Sequence, residues 1–185
     1  GRDWPNALQK ESFAGWVLAT IVGEGMSSRL FQLLREEEGL AYEIDSSVTA
    51  YPDTGTFVLT AILEHGSVAK ALELITRELV DIIRVGVTAH EVAHAAKRLR
   101  SQISMASDNV RSRLSRVVET EVNIGRYITN VELLNELNAV TPESVLKFAQ
   151  TWFTPGKFLL VVGGDAKRIT FPSKISRWWL ADVKG

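Results

Sequence analysis

The feature that most limits what this chain can fold into is a change of period at Gly39, where helical spacing of apolar residues gives way to strict alternation. From Leu40 to Ala50 the alternation predicts a strand. Leu40, Tyr42, Ile44, Ser46, Val48 and Ala50 fall on one face, and Glu43, Asp45, Ser47 and Thr49 on the other. Pro52-Asp53-Thr54-Gly55 carries turn chemistry, and Thr56–Leu63 resumes a β-branched and aromatic run, so the two runs predict an antiparallel hairpin.

Helical patterns stand on both sides of this hairpin. Between Pro5 and Val22, Leu8, Phe13, Val17, Leu18 and Ile21 recur at helical spacing, and Gly23-Glu24-Gly25 ends the run. A second helix is capped by Ser27 or Ser28, carries Leu30, Phe31 and Leu34, and closes at Gly39 after Glu36-Glu37-Glu38, a solvated acidic end. Beyond the hairpin, Val68, Leu72, Ile75, Leu79 and Ile82 or Ile83 mark a helix stopping at Gly86. The next carries Val92, Ala95, Ala96, Leu99 and Ile103, breaks near Ser107-Asp108-Asn109 and continues through Val110, Leu114 and Val117. A short helix spans 132–137, and Thr141-Pro142 opens another that ends near Trp152. Phe158–Val162 reads as a short apolar strand before Gly163-Gly164-Asp165. The order predicts α+β architecture, an antiparallel sheet with helices packed on one face. The predicted division is one domain over 1–168 and a Trp-containing tail, 169–185, with Trp178 and Trp179 beside basic residues.

Composition removes several function classes. Twenty-one basic residues face 22 acidic ones for a formal net charge of −1, which gives no attraction to phosphate backbones and makes nucleic acid an unexpected partner. Cysteine is absent, so disulfides, thiolate zinc sites and a cysteine nucleophile are excluded, and no compartment is indicated. The longest apolar run of the first helix is interrupted by Gly15 and Thr20, so no membrane span is expected. No signal-peptide pattern precedes that helix, and an opening a few residues ahead of it suits a segment of something longer.

The most conspicuous local motif is His90-Glu91-Val92-Ala93-His94, which fits the His-Glu-x-x-His pattern of helical zinc peptidases. Two imidazoles four residues apart share a helix face, and Glu91 would be the general base. Thr88 and Glu91, however, form a capping-box pattern, which puts the motif in the first helical turn and gives Glu91 a structural task. No third His follows at the spacing of the extended motif, since position 100 is Arg. Glu119 and Glu121 lie at least ~37 Å farther along a continuous helix. His90 and His94 therefore stand as an alternative zinc pair, not the leading one.

Taken together, Gly23-Glu24-Gly25-Met26-Ser27-Ser28-Arg29-Leu30-Phe31, Leu34-Arg35-Glu36 and Gly39-Leu40-Ala41-Tyr42 resemble the pitrilysin/insulinase family of zinc metallopeptidases, which includes the mitochondrial processing peptidases. Gly86-Val87-Thr88, Glu91, Ala95-Ala96-Lys97, Ala139-Val140-Thr141-Pro142-Glu143 and Val161-Val162-Gly163-Gly164-Asp165 follow in the family's order, so the likeness covers most of residues 7–166. The family is built from α+β halves facing one another around a chamber. One half carries an inverted zinc motif, His-x-x-Glu-His, which is absent from this chain.

The resemblance therefore implies the opposite, zinc-less C-terminal half, in which an Arg and a Tyr seven residues apart reach towards substrate. Arg35 and Tyr42 have that spacing, with Arg35 as a donor to peptide carbonyls or carboxylates and Tyr42 as the stabiliser of an oxyanion. No cofactor is implied in this chain; zinc is expected in the partner half. The implied partners are a catalytic half bearing His-x-x-Glu-His and extended peptide substrates, and the chain alone is expected to be inactive. A scaffold subunit of the same fold and a free-standing His-Glu-x-x-His peptidase are the two other readings. The Gly23–Gly25 loop sits where one processing-peptidase subunit carries a longer Gly-rich loop. The family's half-domain begins with a strand ahead of the first helix, and Gly1 starts too late to supply it, so either the sheet loses that strand or another polypeptide segment provides it.

Overall fold

In the computed structural model, residues 2–4, 11–164 and 179–180 are described. The hairpin forms as the period change requires. We number the strands β1 (Arg2–Trp4), β2 (Ala41–Ala50), β3 (Gly55–Leu63), β4 (Phe158–Leu159) and β5 (Trp179–Leu180). The helices are α1 (Ser12–Val22), α2 (Arg29–Phe31) with a π-helical continuation Gln32–Glu37, α3 (Val68–Val85), α4 (Ala89–Asp108), α5 (Val110–Ile124), α6 (Asn130–Asn138) and α7 (Pro142–Trp152). A 3₁₀ turn, His65–Ser67, leads into α3.

The main sheet is antiparallel with strand order β1-β3-β2. Its core face is covered by helices. Leu18 and Val22 of α1, Leu30 and Leu34, Leu79 and Ile82 of α3, and Val145 and Phe148 of α7 are all fully or almost fully buried. Phe57 on β3 anchors the far side, with its ring 5.2 Å from that of Phe153, which lies 5.7 Å from Phe158 in an edge-on arrangement. Such aromatic pairs add ~0.5–1.5 kcal/mol each beyond the area they bury.

Helix boundaries follow from caps. Thr88 and Glu91 make the predicted capping box, with the Glu91 carboxylate accepting from the Thr88 N–H at 2.7 Å. Thr129 with Glu132 and Thr141 with Ser144 repeat the device for α6 and α7. Asn109 ends α4 and caps α5 by accepting from the Ser112 N–H at 3.1 Å. Gly86 closes α3 with φ +86, a region that favours glycine.

Several expectations are corrected. The first helix begins at Ser12 rather than near Pro5, and Leu8 lies outside the described residues. A short strand does precede it, with Arg2–Trp4 paired to Gly55–Phe57. Neither serine caps α2 through its side chain; the Ser28 hydroxyl donates back to the Gly25 carbonyl at 2.7 Å. Val110, Leu114 and Val117 of α5 are exposed, because α5 packs against α4 but presents no buried residue to the core. The late strand contracts to Phe158–Leu159 and pairs in parallel with Trp179–Leu180. Asp165, Trp178 and the rest of the predicted tail lie outside the described residues.

Candidate functional site

Two backbone irregularities bracket Gly39. On its amino-terminal side, Gln32–Glu37 are π-helical, and the Glu38 N–H reaches back five residues to the Leu33 carbonyl at 3.1 Å. Single π turns of this kind recur at functional sites. Gly39 then takes φ +61, and the Leu40 N–H bonds the Leu34 carbonyl at 2.7 Å, which turns the chain directly into β2. On the carboxyl-terminal side the ladder slips: Ala41 opposes Leu63 while Glu43 opposes Ile62, leaving Tyr42 as the extra residue of a β-bulge.

The bulge corrects the predicted strand face. Ala41, not Tyr42, points into the core, and Ile44 and Ser46 follow on the same side after the slip. Tyr42 is turned outward with 63% of its surface exposed, and its hydroxyl donates to Glu64 Oε1 at 3.0 Å. That bond, reinforced by the Glu64 charge, raises the phenol's pKa above its ordinary value, so the hydroxyl stays protonated and available as a donor. Arg35 is also exposed. Its guanidinium carbon lies 5.0 Å from the ring centre of Phe31, one turn earlier, which holds the side chain over an aromatic face. The two residues sit on either side of one turn, with separate side-chain partners. Of the acidic run, Glu36 and Glu37 are exposed, and Glu38 accepts an ion pair from Lys70.

The loop ahead of α2 is wedged beneath the sheet. A Cβ on Gly23 would lie 2.9 Å from Ser46 Cβ, and one on Gly25, at φ +87, would meet the Arg98 guanidinium at 2.9 Å. Glu24 between them accepts from Gln102 Nε2 at 2.6 Å and from the Thr20 hydroxyl at 2.9 Å, tying α1 to α4.

His90 and His94 are exposed, with ring centres 6.5 Å apart, beside a small pocket of about 170 Å³ that also touches Glu91 and Ser27. Glu91 is not free to serve as a base. Besides Thr88, it is gripped by the Arg29 fork, Nε to Oε1 at 2.5 Å and Nη2 to Oε2 at 3.0 Å. Burial alone would push this carboxyl up, but the hydrogen bonds from Arg29 and Thr88 outweigh it and hold the pKa down at about 2. Among the described residues no group of three or more His, Cys, Asp or Glu is placed to hold a metal ion. The described side chains around His90 and His94 do not fit a zinc site.

Sequence reasoning missed Arg29 as the hub of this region. Besides Glu91 it donates to Glu78 Oε1 at 2.9 Å and to the Gly86 carbonyl at 3.3 Å, so one guanidinium joins α2, α3 and α4. Its partners lie 49 to 62 residues away along the chain, and no local pattern announces such a pairing. The only available signal was Glu91 itself, whose capping role accounts for one of its two oxygens.

Residues 3–99, just over half the chain, match the family described as the peptidase M16 inactive domain. The uncharacterized zinc protease YmxG of Bacillus subtilis is 32% identical over 146 residues, 79% of this chain and 36% of that protein. A conserved protein of Enterococcus faecalis has a solved structure that superposes with a TM-score of 0.70 at 26% identity, over 80% of this chain and 34% of that one. The peptidase M16 inactive domain from Pseudomonas fluorescens superposes with a TM-score of 0.69 at 18% identity, over 80% of this chain and 36% of that one. The chain thus spans little more than a third of the curated relatives it matches. It belongs to the pitrilysin/insulinase (M16) family of zinc metallopeptidases, as the inactive C-terminal half-domain of that family.

Proposed function

We propose that this domain is the substrate-gripping half of a pitrilysin-type zinc metalloendopeptidase, inactive alone and completed by a half that carries His-x-x-Glu-His. The observation that carries the reading is the bulge at Tyr42. A regular strand would have placed this tyrosine on the core face; the extra residue puts its hydroxyl in solvent, one turn of chain from an exposed Arg35. Both side chains are thereby free of the core and face outward from a rigid element, as substrate contacts must.

The division of labour follows from donor chemistry. Tyr42 donates its hydroxyl hydrogen to the oxygen that gains charge as a peptide carbonyl is attacked, leaving Glu64 as it does so. Arg35 donates to a carbonyl or carboxylate of the bound peptide. The outer edge of β2 is paired with no other strand among the described residues, and an extended peptide is read there by main-chain hydrogen bonds. Zinc belongs to the partner half.

The test is reconstitution with a catalytic half. Alone, the chain hydrolyses no peptide and binds no stoichiometric zinc. In the complex, Tyr42→Phe lowers kcat by about 10²-fold, the usual cost of one oxyanion donor, and Arg35→Ala raises KM. One zinc per chain, lost on His94→Ala, would sink the proposal in favour of a free-standing peptidase. Unchanged turnover in both variants with normal assembly would make the domain a scaffold.

A further inference from the structure

α5 is 15 residues long and buries none of them. It packs on α4, and its half-buried residues, Arg116, Thr120, Asn123 and Ile124, mark one face. The opposite face is apolar. Val110, Leu114, Val118 and Val122 recur every fourth residue along ~18 Å of helix and are between 52% and 79% exposed. Valine is a poor helix former, and a helix of this length draws its stability from a packed apolar face. A continuous apolar stripe left in water marks an interaction surface.

The two charges set within this stripe say what fits it. Arg111 stands three residues before Leu114, and Glu121 stands three residues after Val118. Both are exposed, and neither side chain has an ion-pair or hydrogen-bond partner among the described residues. Their placement is symmetrical about position 116. When a second α5 is laid antiparallel, Val110 meets Val122, Leu114 meets Val118 and Arg111 meets Glu121, each contact occurring twice. In this register apolar residues face apolar residues and each charge faces its opposite. A parallel pair would instead set Arg111 against Arg111 and Glu121 against Glu121. The net charge of −1 puts little repulsion between copies.

We infer that α5 is a self-association surface, on which a second copy of this chain docks antiparallel about a two-fold axis near position 116. Such a contact is self-complementary and closes at the dimer. The inference goes beyond the pairing with a catalytic half and uses neither Arg35 nor Tyr42.

Sedimentation equilibrium of the 185-residue chain is the first test. The chain is expected to be monomeric at ~1 µM and largely dimeric at ~100 µM, as suits an interface below the standard ~800 Å² per partner. Arg111→Glu and Glu121→Arg should each weaken the dimer by about 10-fold, and the two together should restore it. Both positions are exposed, and circular dichroism checks that the variants fold. The chain has no cysteine, so introduced thiols report orientation without background. Oxidising a mixture of Val110→Cys and Val122→Cys chains is expected to give mainly the mixed disulfide. A chain still monomeric at ~100 µM, a double reversal no better than either single one, or a majority of Val110→Cys homodimers overturns the inference. The last arm adds the catalytic half. Two copies still joined through the 110 and 122 thiols in that complex support the inference; a complex holding one copy, with hydrogen exchange slowed over residues 110–122, gives the stripe to the catalytic half and overturns it. Turnover of the reconstituted complex reports on Tyr42 and not on α5, so the two readings fail separately.

Discussion

Glu91→Gln keeps the shape of the side chain and its capping oxygen while deleting the charge that Arg29 grips. The capping box tolerates Gln at this position, so the variant separates the ion pair from the cap. The magnitude follows from linkage. Glu91 titrates at about 2 in the fold against 4.5 for the free side chain, and at ~1.4 kcal/mol per unit the difference sets an upper bound of ~3.4 kcal/mol. Both partners are a quarter exposed, and solvent screening reduces this to about 2 kcal/mol. For a domain of this size that corresponds to a fall in Tm of about 4–8 °C.

The sign of the pH dependence is fixed by the same numbers. A depressed carboxyl contributes its full stability above about 4.5 and loses it as pH falls through about 2. Urea unfolding followed by circular dichroism should therefore show the native protein and Glu91→Gln separated at pH 7 and converging towards pH 2. A double-mutant cycle with Arg29→Met should give a coupling energy of about 1 kcal/mol, because Thr88 supplies part of the depression. Parallel pH profiles, or a coupling below ~0.5 kcal/mol, would refute the claim that this pair joins α2 to α4.

Three further outcomes follow from packing and charge. Gly23→Ala should cost about 1–3 kcal/mol, measured by urea unfolding, because its Cβ would sit 2.9 Å from Ser46 Cβ and 3.1 Å from Leu59, where the Ser46 hydroxyl also bonds the Ala19 carbonyl. Phe57→Ala should cost about 3–5 kcal/mol in the same assay by emptying the junction of Phe57, Phe153 and the sheet. Asp45→Asn should raise the urea midpoint at pH 7 rather than lower it. Burial first, and then the Glu24 and Glu43 charges, push the Asp45 carboxyl up, so its ionised form is disfavoured in the fold.

The parts of the fold visible in the sequence are those whose signals are local and repeated. The hairpin turn, the Thr88–Glu91 box, the break at Asn109 and the Leu72, Ile75, Leu79 stripe all lie within one period of their own evidence. The slip at Tyr42 escaped because alternation carries no mark of a single added residue; Leu40 and Tyr42 have the right polarity for the wrong face. α5 misled for a related reason. Val110, Leu114 and Val117 form a genuine helical stripe, and periodicity reports an apolar face without reporting what covers it. The Arg29 hub lay beyond any local reading, since its partners are brought together only when α2, α3 and α4 pack.

The π turn and the bulge each hold one residue more than a regular helix or strand would need, and they lie within a dozen positions of each other. Chain length in this short interval is therefore a variable separate from the rest of the fold. A single-residue deletion at Tyr42 would restore a straight ladder without disturbing the core, and one within Gln32–Glu37 would rewind the turn and swing Arg35 about the helix axis. Lineages could gain or lose the outward-facing pair through such small indels while the scaffold persisted. Alignment gaps at this turn would then record changes of role that substitution patterns elsewhere in the domain do not register.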